Sequence, residues 1–178
     1  MIAPADLIAG MAKGMAAAGA AVVVAGRDAA KNDAAVKELQ ALGGRASAIA
    51  VDVLKEESCR GLITGTVKQH GRLDILANCA GIQLTRGLLE TSLDDFRHVF
   101  QVNVESVFLG TRAAVKAMLP AGRGSIVNIA SNFANIADGL NTAYCASKAA
   151  LLNMTVALAR VCAPKVRVNA VAPGTVDG

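Results

Sequence analysis

The sequence predicts an α/β protein in which a doubly wound parallel sheet is covered by helices on both faces. Short apolar runs alternate with longer segments of helical character, a pattern typical of parallel strands joined by crossover helices. The composition is 53% hydrophobic but only 3% aromatic, which suits buried aliphatic strands and Ala-rich helices that pack on them. A length of 178 residues is enough for one domain with a sizeable core.

The predicted elements follow one another in a regular alternation. They are a helix over 6–18, a strand over 20–25, a helix over 28–42, a strand over 45–51, a helix over 56–70, a strand over 73–77, a helix over 92–119, a strand over 125–130, a helix over 143–163 and a strand over 166–171. Gly19 and Gly71 mark helix ends, and Ser92 with Asp95 three residues later predicts a capped helix start. Because no repeat or linker divides the chain, we expect residues 1–178 to form a single domain.

Three residues in the second half form a candidate proton-transfer constellation. Tyr144 and Lys148 are four residues apart on one predicted helix and therefore share a face, and Ser131 follows the strand over 125–130. A free tyrosine has a pKa of about 10, and a neighbouring ammonium should lower the pKa of Tyr144 towards neutrality. Tyr144 would then exchange a proton with a carbonyl or alcohol oxygen that Ser131 also binds. A cofactor must supply the hydride, since no side chain can.

Further motifs accompany this constellation in a fixed order, and together they resemble the classical short-chain dehydrogenase/reductase family. Residues 78–81, Asn-Cys-Ala-Gly, are similar to the family's NNAG motif, with Cys79 in place of the second Asn. Asp52, Asn103 and the pair at 173–174, Pro-Gly, also match in register. A single YxxxK pattern occurs on many ordinary helices, but the complete ordered set is specific and covers nearly the whole chain.

The resemblance implies a Rossmann-like domain that binds NAD(P), and it implies particular site residues. The catalytic residues would be Asn103, Ser131, Tyr144 and Lys148. The residues expected to bind the cofactor are Arg27, Asp52, Val53, Asn78, Ala80, Gly81, Tyr144, Lys148, Pro173 and Gly174. By resemblance Asp52 contacts the adenine, and Asn103 anchors a water that links Lys148 to solvent. Asparagine is a poor helix former, so Asn103 within a predicted helix either bonds to its own backbone or has a function.

The segment at the end of the strand over 20–25 bears on the identity of the cofactor. Proteins of this fold that use NAD place a carboxylate there to bind the ribose 2′-hydroxyl. Here Gly26 leaves space and Arg27 offers a cation suited to a 2′-phosphate, which favours NADP. Asp28 is the counter-argument, because it would either bind the hydroxyl, as in an NAD enzyme, or only cap the following helix.

The family's glycine-rich turn, TGxxxGxG, is not found before the first predicted helix, where the chain reads MIAPADLIAG. That turn brings a pyrophosphate to a helix N-terminus. The chain also stops soon after Gly174. We therefore expect a sheet without its first strand, with two strand edges facing each other across a gap, and a chain incomplete at both ends. The alternative to an active enzyme is a catalytically inactive fragment or a binding module without cofactor.

Composition and charge argue against several other functions. The net charge is +4 and the basic residues are scattered, so we expect no nucleic-acid partner. The apolar run over 14–26 is too short to span a membrane. The four cysteines lack CxxC spacing and there are only two histidines, so we expect no metal site and a location in the reducing cytoplasm.

The remaining expectations concern substrates and assembly. The predicted partner is a small carbonyl or alcohol compound, as for 3-oxoacyl reductases or sugar and polyol dehydrogenases of the family. By resemblance the protein should form a homodimer or homotetramer through the helix around Asn103 and the helix that carries Tyr144.

Overall fold

The computed structural model describes residues 5–174, in which strands and helices alternate as predicted. The elements are α1 (Ala5–Ala17), β1 (Ala21–Gly26), α2 (Ala29–Ala41), β2 (Arg45–Ala50), α3 (Glu56–His70), β3 (Ile75–Asn78), α4 (Leu93–Phe100), α5 (Ser106–Met118), β4 (Gly124–Ile129), α6 (Thr142–Cys162) and β5 (Val166–Val171). The end of each predicted strand and helix lies within two residues of an observed one, with one interruption described below. The α/β class is confirmed.

The parallel sheet is divided into two parts. β1 pairs with β2 in one part, and β3, β4 and β5 pair in that order in the other, all in parallel register. Within residues 5–174 no strand pairs with the second edge of β1 or of β3. The predicted interruption of the sheet is therefore present among the described residues. The first four residues, part of the segment MIAPADLIAG in which no glycine-rich turn is found, lie outside the described residues.

The helices form two groups around these strands. α1 and α2 pack against each other and against β1, whereas α3 contacts α5, and α6 contacts both α4 and β5. The main hydrophobic core lies between the second group and the three-stranded part of the sheet. Its buried residues are Ile63, Ala114, Met118, Ile126, Cys162, Val166 and Val168. The three-stranded part of the sheet is therefore the part that packs on the main core. Ser131, Tyr144 and Lys148 follow β4, and Asn103 follows β3 along the chain.

The start of α4 is fixed by the capping box that the sequence predicts. The Ser92 hydroxyl accepts a hydrogen bond from the Asp95 backbone N–H at 3.0 Å, and the Asp95 carboxylate accepts one from the Ser92 N–H at 3.2 Å. The Ser92 hydroxyl also donates to the Asp95 carboxylate at 2.9 Å. This bond and the one from the Ser92 N–H lower the pKa of Asp95, and Arg86 reinforces the effect with an ion pair at 2.8 Å. Local hydrogen bonding therefore sets where this long helical region begins.

The predicted single helix over 92–119 is wrong in one respect, because a π-helical segment at Gln101–Glu105 separates α4 from α5. The Ser106 N–H bonds to the Gln101 carbonyl, five residues back. The Ser106 hydroxyl donates to the Val102 carbonyl at 2.5 Å. The wider turn accompanies the burial of Asn103, whose side chain bonds to a distant loop. Such segments are often found at functional sites.

Helix α6 is the one described helix that is long and apolar enough to cross a membrane, judged by length and composition alone. The core helices of soluble proteins meet the same criterion. Here α6 packs on β5 and carries the buried polar residues Ser147, Lys148 and Thr155. Only 28% of that apolar stretch is buried, and Val156 and Val161 are exposed, so packing within the chain accounts for part of its apolar character.

We predict that Ser92→Ala lowers the free energy of unfolding by about 1 kcal/mol, the usual cost of losing a helix cap. The Asp95 N–H loses its side-chain acceptor, so the first turn of α4 is destabilised. Urea denaturation followed by circular dichroism measures the change. Thr64→Ala is the control, since Thr64 is exposed within α3 and bonds only to carbonyls of its own helix. Equal destabilisation by both substitutions would contradict the role of the cap.

Candidate active site

Apart from Asn103, Tyr144 and Lys148, which lie on helical segments, the sequence-predicted residues lie at the carboxyl ends of the parallel strands, where ligands bind in open α/β sheets. Arg27 follows β1, Asp52 follows β2, the segment 79–81 follows β3, and Ser131 follows β4. The segment after β5 joins them, because the Asn132 N–H donates to the Pro173 carbonyl at 2.9 Å. Gly174 also lies against the Asn132 side chain. The strand ends therefore bring distant parts of the chain to one edge.

Ser131 and Tyr144 meet as the sequence predicts. Ser131 is 7% exposed, and its hydroxyl accepts a hydrogen bond from the Phe133 N–H at 3.2 Å. The Ser131 hydroxyl donates to Asn132 Oδ1 at 3.3 Å, and the Ser131 side chain is near enough to Tyr144 to act on its pKa in the lowering direction. The Phe133 ring packs edge-on against the Tyr144 ring, with centroids 6.2 Å apart. Two hydroxyl groups are thus placed to bind the same substrate oxygen.

Lys148 lies beneath Tyr144 on the same face of α6, as the spacing predicts. Its Nζ is 5.6 Å from the centre of the Tyr144 ring. The residue is only 4% exposed, and Nζ donates to the Ile129 carbonyl at 2.6 Å. Burial lowers the pKa of Lys148 to about 8, because a buried ammonium loses its hydration. Lys148 is therefore near its titration midpoint at mildly alkaline pH.

The expectation that Lys148 lowers the pKa of Tyr144 is wrong for this arrangement. The pKa of Tyr144 is raised, chiefly by burial, while the neighbouring Ser131 side chain acts in the opposite direction. The physical reason is that the Lys148 ammonium donates to the Ile129 carbonyl, and burial lowers its own pKa and so disfavours its charged form. Tyr144 is consequently a neutral phenol at neutral pH, the form that donates a proton.

Asn103 is completely buried and is bonded to other elements, not to its own helix. Its Oδ1 accepts from the Ile82 N–H at 2.8 Å, and its Nδ2 donates to the Ile82 carbonyl and to the Ser147 hydroxyl, both at 2.9 Å. A Cβ at Gly81 would lie 3.4 Å from Asn103 Oδ1 and 3.5 Å from Lys148 Nζ. Asn103, Gly81 and Lys148 are therefore neighbours, whereas the water-anchoring role of Asn103 stays a prediction.

The end of β1 differs from expectation at Gly26. The space left by the missing side chain is filled by Asn32, since a Cβ at Gly26 would come within 2.8 Å of Asn32 Oδ1. The Asn32 amide donates to the Gly26 carbonyl at 2.9 Å. Asp28 caps α2 by accepting from the Lys31 N–H at 3.1 Å. Arg27 is exposed and makes no ion pair with another described residue, so its guanidinium is available to an anion.

The segment after β2 forms a tight connection to α3. The Asp52 carboxylate accepts from the Leu54 N–H at 3.2 Å and lies 3.7 Å from the Lys55 ammonium. The Asp52 N–H donates to the Ser58 hydroxyl at 2.9 Å, and the Val53 carbonyl accepts from the Cys59 thiol. Asp52 and Val53 are half-buried at the strand edge, and their contact with a cofactor stays a prediction.

The side chain of Asn78 belongs to a buried chain of polar groups that the sequence did not reveal. Its amide donates to Asn128 at 2.9 Å and to Thr111 at 3.2 Å. Asn128 in turn donates to Thr155 at 2.9 Å. These bonds join β3, β4, α5 and α6, so the side chain of Asn78 is used in packing. An asparagine in the apolar run SIVNIA was the available signal.

Two loops next to the site are tied together by Asn141, another residue that sequence reasoning missed. Asn141 is 4% exposed, and its Oδ1 accepts from Gln83 Nε2 at 2.8 Å and from the Thr85 hydroxyl at 3.2 Å. The Arg86 N–H also donates to the Leu140 carbonyl at 2.8 Å. The loop after β3 and the loop before α6 are thus joined beside Tyr144.

These residues fit the two ends of a nicotinamide dinucleotide better than its centre. Arg27, which makes no ion pair among the described residues, follows β1, and small residues surround the buried polar groups after β3. Ahead of β1, the described residues form α1, with Gly10 inside the helix. Within residues 5–174 that part of the chain therefore presents no glycine-rich turn for a pyrophosphate.

Comparison with known proteins agrees with these features. Residues 8–178 match the family model described as short chain dehydrogenase. A cyclopentanol dehydrogenase from Comamonas sp. is 36% identical over 91% of this chain and 65% of that protein. A 3-oxoacyl-acyl-carrier-protein reductase from Chlamydia pneumoniae is 34% identical over 89% of this chain and 64% of that protein. A solved dehydrogenase/reductase from Sinorhizobium meliloti has a TM-score of 0.89 at 40% identity, covering 95% of this chain and 68% of that one. The chain thus spans about two thirds of the length of these relatives.

We predict that Tyr144 titrates above the ordinary tyrosine pKa of about 10. The measurement is direct, because the sequence has one tyrosine and no tryptophan, so tyrosinate absorbance reports Tyr144 alone. Burial disfavours the phenolate and shifts the midpoint upwards, and Ser131→Ala should raise it further by removing the opposing influence of the Ser131 side chain.

Lys148→Met distinguishes two explanations of the Tyr144 pKa, namely that burial raises it or that the Lys148 ammonium lowers it. If burial dominates, the midpoint stays well above that of a free tyrosine and moves little when the ammonium is removed. A midpoint below 10 in the parent, rising sharply in Lys148→Met, would restore the original expectation that Lys148 activates Tyr144.

Proposed function

The chain belongs to the short-chain dehydrogenase family of oxidoreductases, and from that premise we propose that it interconverts a ketone and a secondary alcohol. The observation that carries the proposal is the meeting of Ser131, Tyr144 and Lys148 at the carboxyl end of β4, beside Asn103. A nicotinamide cofactor would supply or accept the hydride at this edge of the sheet.

The side chains would divide the proton chemistry among them. Ser131 and Tyr144 hydrogen-bond the substrate oxygen, and Tyr144 donates its proton to that oxygen in reduction or accepts one in oxidation. The raised pKa of Tyr144 favours the neutral phenol and hence reduction at neutral pH. Lys148, with a pKa of about 8, provides a second titrating group directly beneath the phenol. Asn103 holds the loop that carries Gly81 against Lys148.

NADP is the proposed cofactor, with NAD as the alternative. Arg27 is exposed and forms no ion pair with the residues that the structure describes, which supports recognition of a 2′-phosphate, and Asp28 is already engaged as the cap of α2. The residues proposed to line the rest of the cofactor site are Asp52, Val53, Asn78, Ala80, Gly81, Pro173 and Gly174. A cation is therefore the group best placed to distinguish the two cofactors.

The substrate is proposed to be a small carbonyl or alcohol compound in the cytoplasm. The names of two relatives, a cyclopentanol dehydrogenase and a 3-oxoacyl-acyl-carrier-protein reductase, support this class. We also propose a homodimer or homotetramer formed through α4, α5 and α6. Apolar side chains exposed on these helices support such contacts, among them Phe96, Phe108 and Val156.

A second candidate function is a binding module or inactive fragment that keeps the fold without the cofactor. It is favoured by one observation, the absence of a glycine-rich phosphate turn between Ala5 and β1. Fluorescence of NADPH and NADH titrated with the purified chain distinguishes the two candidates. Enhanced fluorescence with either cofactor supports the enzyme, and no binding of either supports the module.

We predict that Tyr144→Phe abolishes turnover while the fold is retained. The substitution removes only the hydroxyl, so the ring contact with Phe133 persists but no proton can be transferred. Nicotinamide absorbance measures turnover with a panel of ketones and alcohols, and circular dichroism measures the fold. Turnover within a few-fold of the parent would refute the acid/base role of Tyr144.

We predict that Arg27→Ala raises the Kd for NADPH about tenfold or more and leaves that for NADH nearly unchanged, because a charge-assisted hydrogen bond is lost. Fluorescence titration measures both constants. Lys37→Ala is the matched control, since Lys37 is another exposed cation further along α2 and its removal changes the net charge equally. Equal weakening of NADPH and NADH by Arg27→Ala would show that Arg27 does not recognise the 2′-phosphate.

A further inference from the structure

The first turn of α6, which carries Tyr144, lacks the usual side-chain cap. Asn141 occupies the N-cap position but makes no capping hydrogen bond, since its amide oxygen is bonded to Gln83 and Thr85. An uncapped first turn is held less firmly by its own helix. The position of Tyr144 therefore depends on contacts with other parts of the protein.

Ser147 supplies such a contact. Its hydroxyl donates to the Tyr144 carbonyl at 2.7 Å and accepts from Asn103 Nδ2 at 2.9 Å. Ser147 is completely buried, as is Asn103. A serine that only bonded to its own helix would be an ordinary local feature. Here the same hydroxyl also binds a side chain 44 residues away.

The bond from Ser147 to Asn103 extends to the rest of the site. Asn103 holds both the N–H and the carbonyl of Ile82, and the preceding Gly81 lies against Lys148 Nζ. Lys148 directly follows Ser147 in α6. A closed ring of contacts thus runs from α6 through the π-helical segment and the loop after β3, and returns to α6.

We propose that Ser147 is a positioning residue that fixes the Tyr144 phenol relative to Asn103 and Lys148. Only a hydroxyl can donate to the Tyr144 carbonyl and accept from Asn103 in so small a buried space. Ser147 does not contact the substrate oxygen; it acts through the two residues to which it is bonded. The kinetic part of this proposal depends on the proposed enzyme function, whereas the structural part concerns the chain alone.

The experiment uses Ser147→Ala in the full chain. Without the shared hydroxyl, Tyr144 should move away from Ser131, whose side chain acts to lower the tyrosine pKa. The tyrosinate absorbance midpoint should therefore move upwards in the cofactor-free chain. In turnover, kcat should fall about ten- to hundredfold, as expected for misplacement of a catalytic group, while KM and the Kd for the cofactor change less than about twofold.

Thr66→Val is the matched control. Thr66 is 7% exposed, lies on α3 and donates to the Leu62 carbonyl at 2.8 Å, so it is another buried hydroxyl that bonds to its own helix. Its removal should lower thermal stability without moving the Tyr144 midpoint or kcat. If Ser147→Ala does not fold, Ser147→Cys replaces it, since a thiol of similar size forms only weak hydrogen bonds.

A double-mutant cycle with Asn103→Ala tests whether Ser147 acts through Asn103. The double variant should lose little more kcat than Asn103→Ala alone, because both substitutions break the same contact. Fully additive losses would overturn the coupling. An unchanged Tyr144 midpoint and an unchanged kcat in Ser147→Ala would overturn the proposal as a whole.

The absorbance titration also separates this proposal from the proposed enzyme function. If the parent chain shows no turnover, the enzyme function fails, but a midpoint shift in Ser147→Ala that Thr66→Val does not show still supports positioning. If the parent turns over substrate and Ser147→Ala matches it in kcat and midpoint, only the positioning role fails.

Discussion

Every buried polar group at the carboxyl ends of β3 and β4 must find a hydrogen-bond partner, because an unsatisfied one costs about 1–3 kcal/mol. Asn103, Asn128 and Ser147 are all completely buried, and each is bonded to other elements of the fold. Among the residues that the structure describes, no buried side-chain nitrogen or oxygen lacks a partner. The elements around the site are consequently fixed relative to one another, since displacing any one amide would break bonds to two neighbours.

The burial that makes these hydrogen bonds necessary also shifts the pKa values of Tyr144 and Lys148. A low-dielectric environment favours the neutral form of every group, so it raises the pKa of Tyr144 and lowers that of Lys148. In water a tyrosine, with a pKa of about 10, loses its proton slightly before a lysine, with a pKa of about 10.4. Here the two shifts reverse that order, so the lysine loses its proton first. Near pH 8 the lysine titrates while the tyrosine keeps its proton. In the proposed reaction Tyr144 would therefore act first as a proton donor, and its activation as a base would require more than the helical proximity of Lys148.

The sequence predicts those features that have a local cause. The end of α3 follows from Gly71, which adopts the left-handed conformation with φ of 78°, and the start of α4 follows from the Ser92 cap. The shared face of Tyr144 and Lys148 likewise follows from helical spacing. The π-helical segment could not be predicted, because it accompanies bonds from Asn103 to Ile82, 21 residues away. The direction of the Lys148 ammonium depends on the Ile129 carbonyl, a neighbour in space that no local pattern identifies.

The division of the sheet separates the two halves of the proposed reaction. The proton-transfer residues come from the part built on β3, β4 and β5, whereas Arg27 and Asp52 follow β1 and β2. Helix α3 contacts β1 and β2 as well as α5, so its packing helps to set the distance between the halves. A dinucleotide that bound both would stabilise their relative position by mass action. Binding of the hydride carrier and stability of the divided sheet are therefore expected to be thermodynamically linked in this chain.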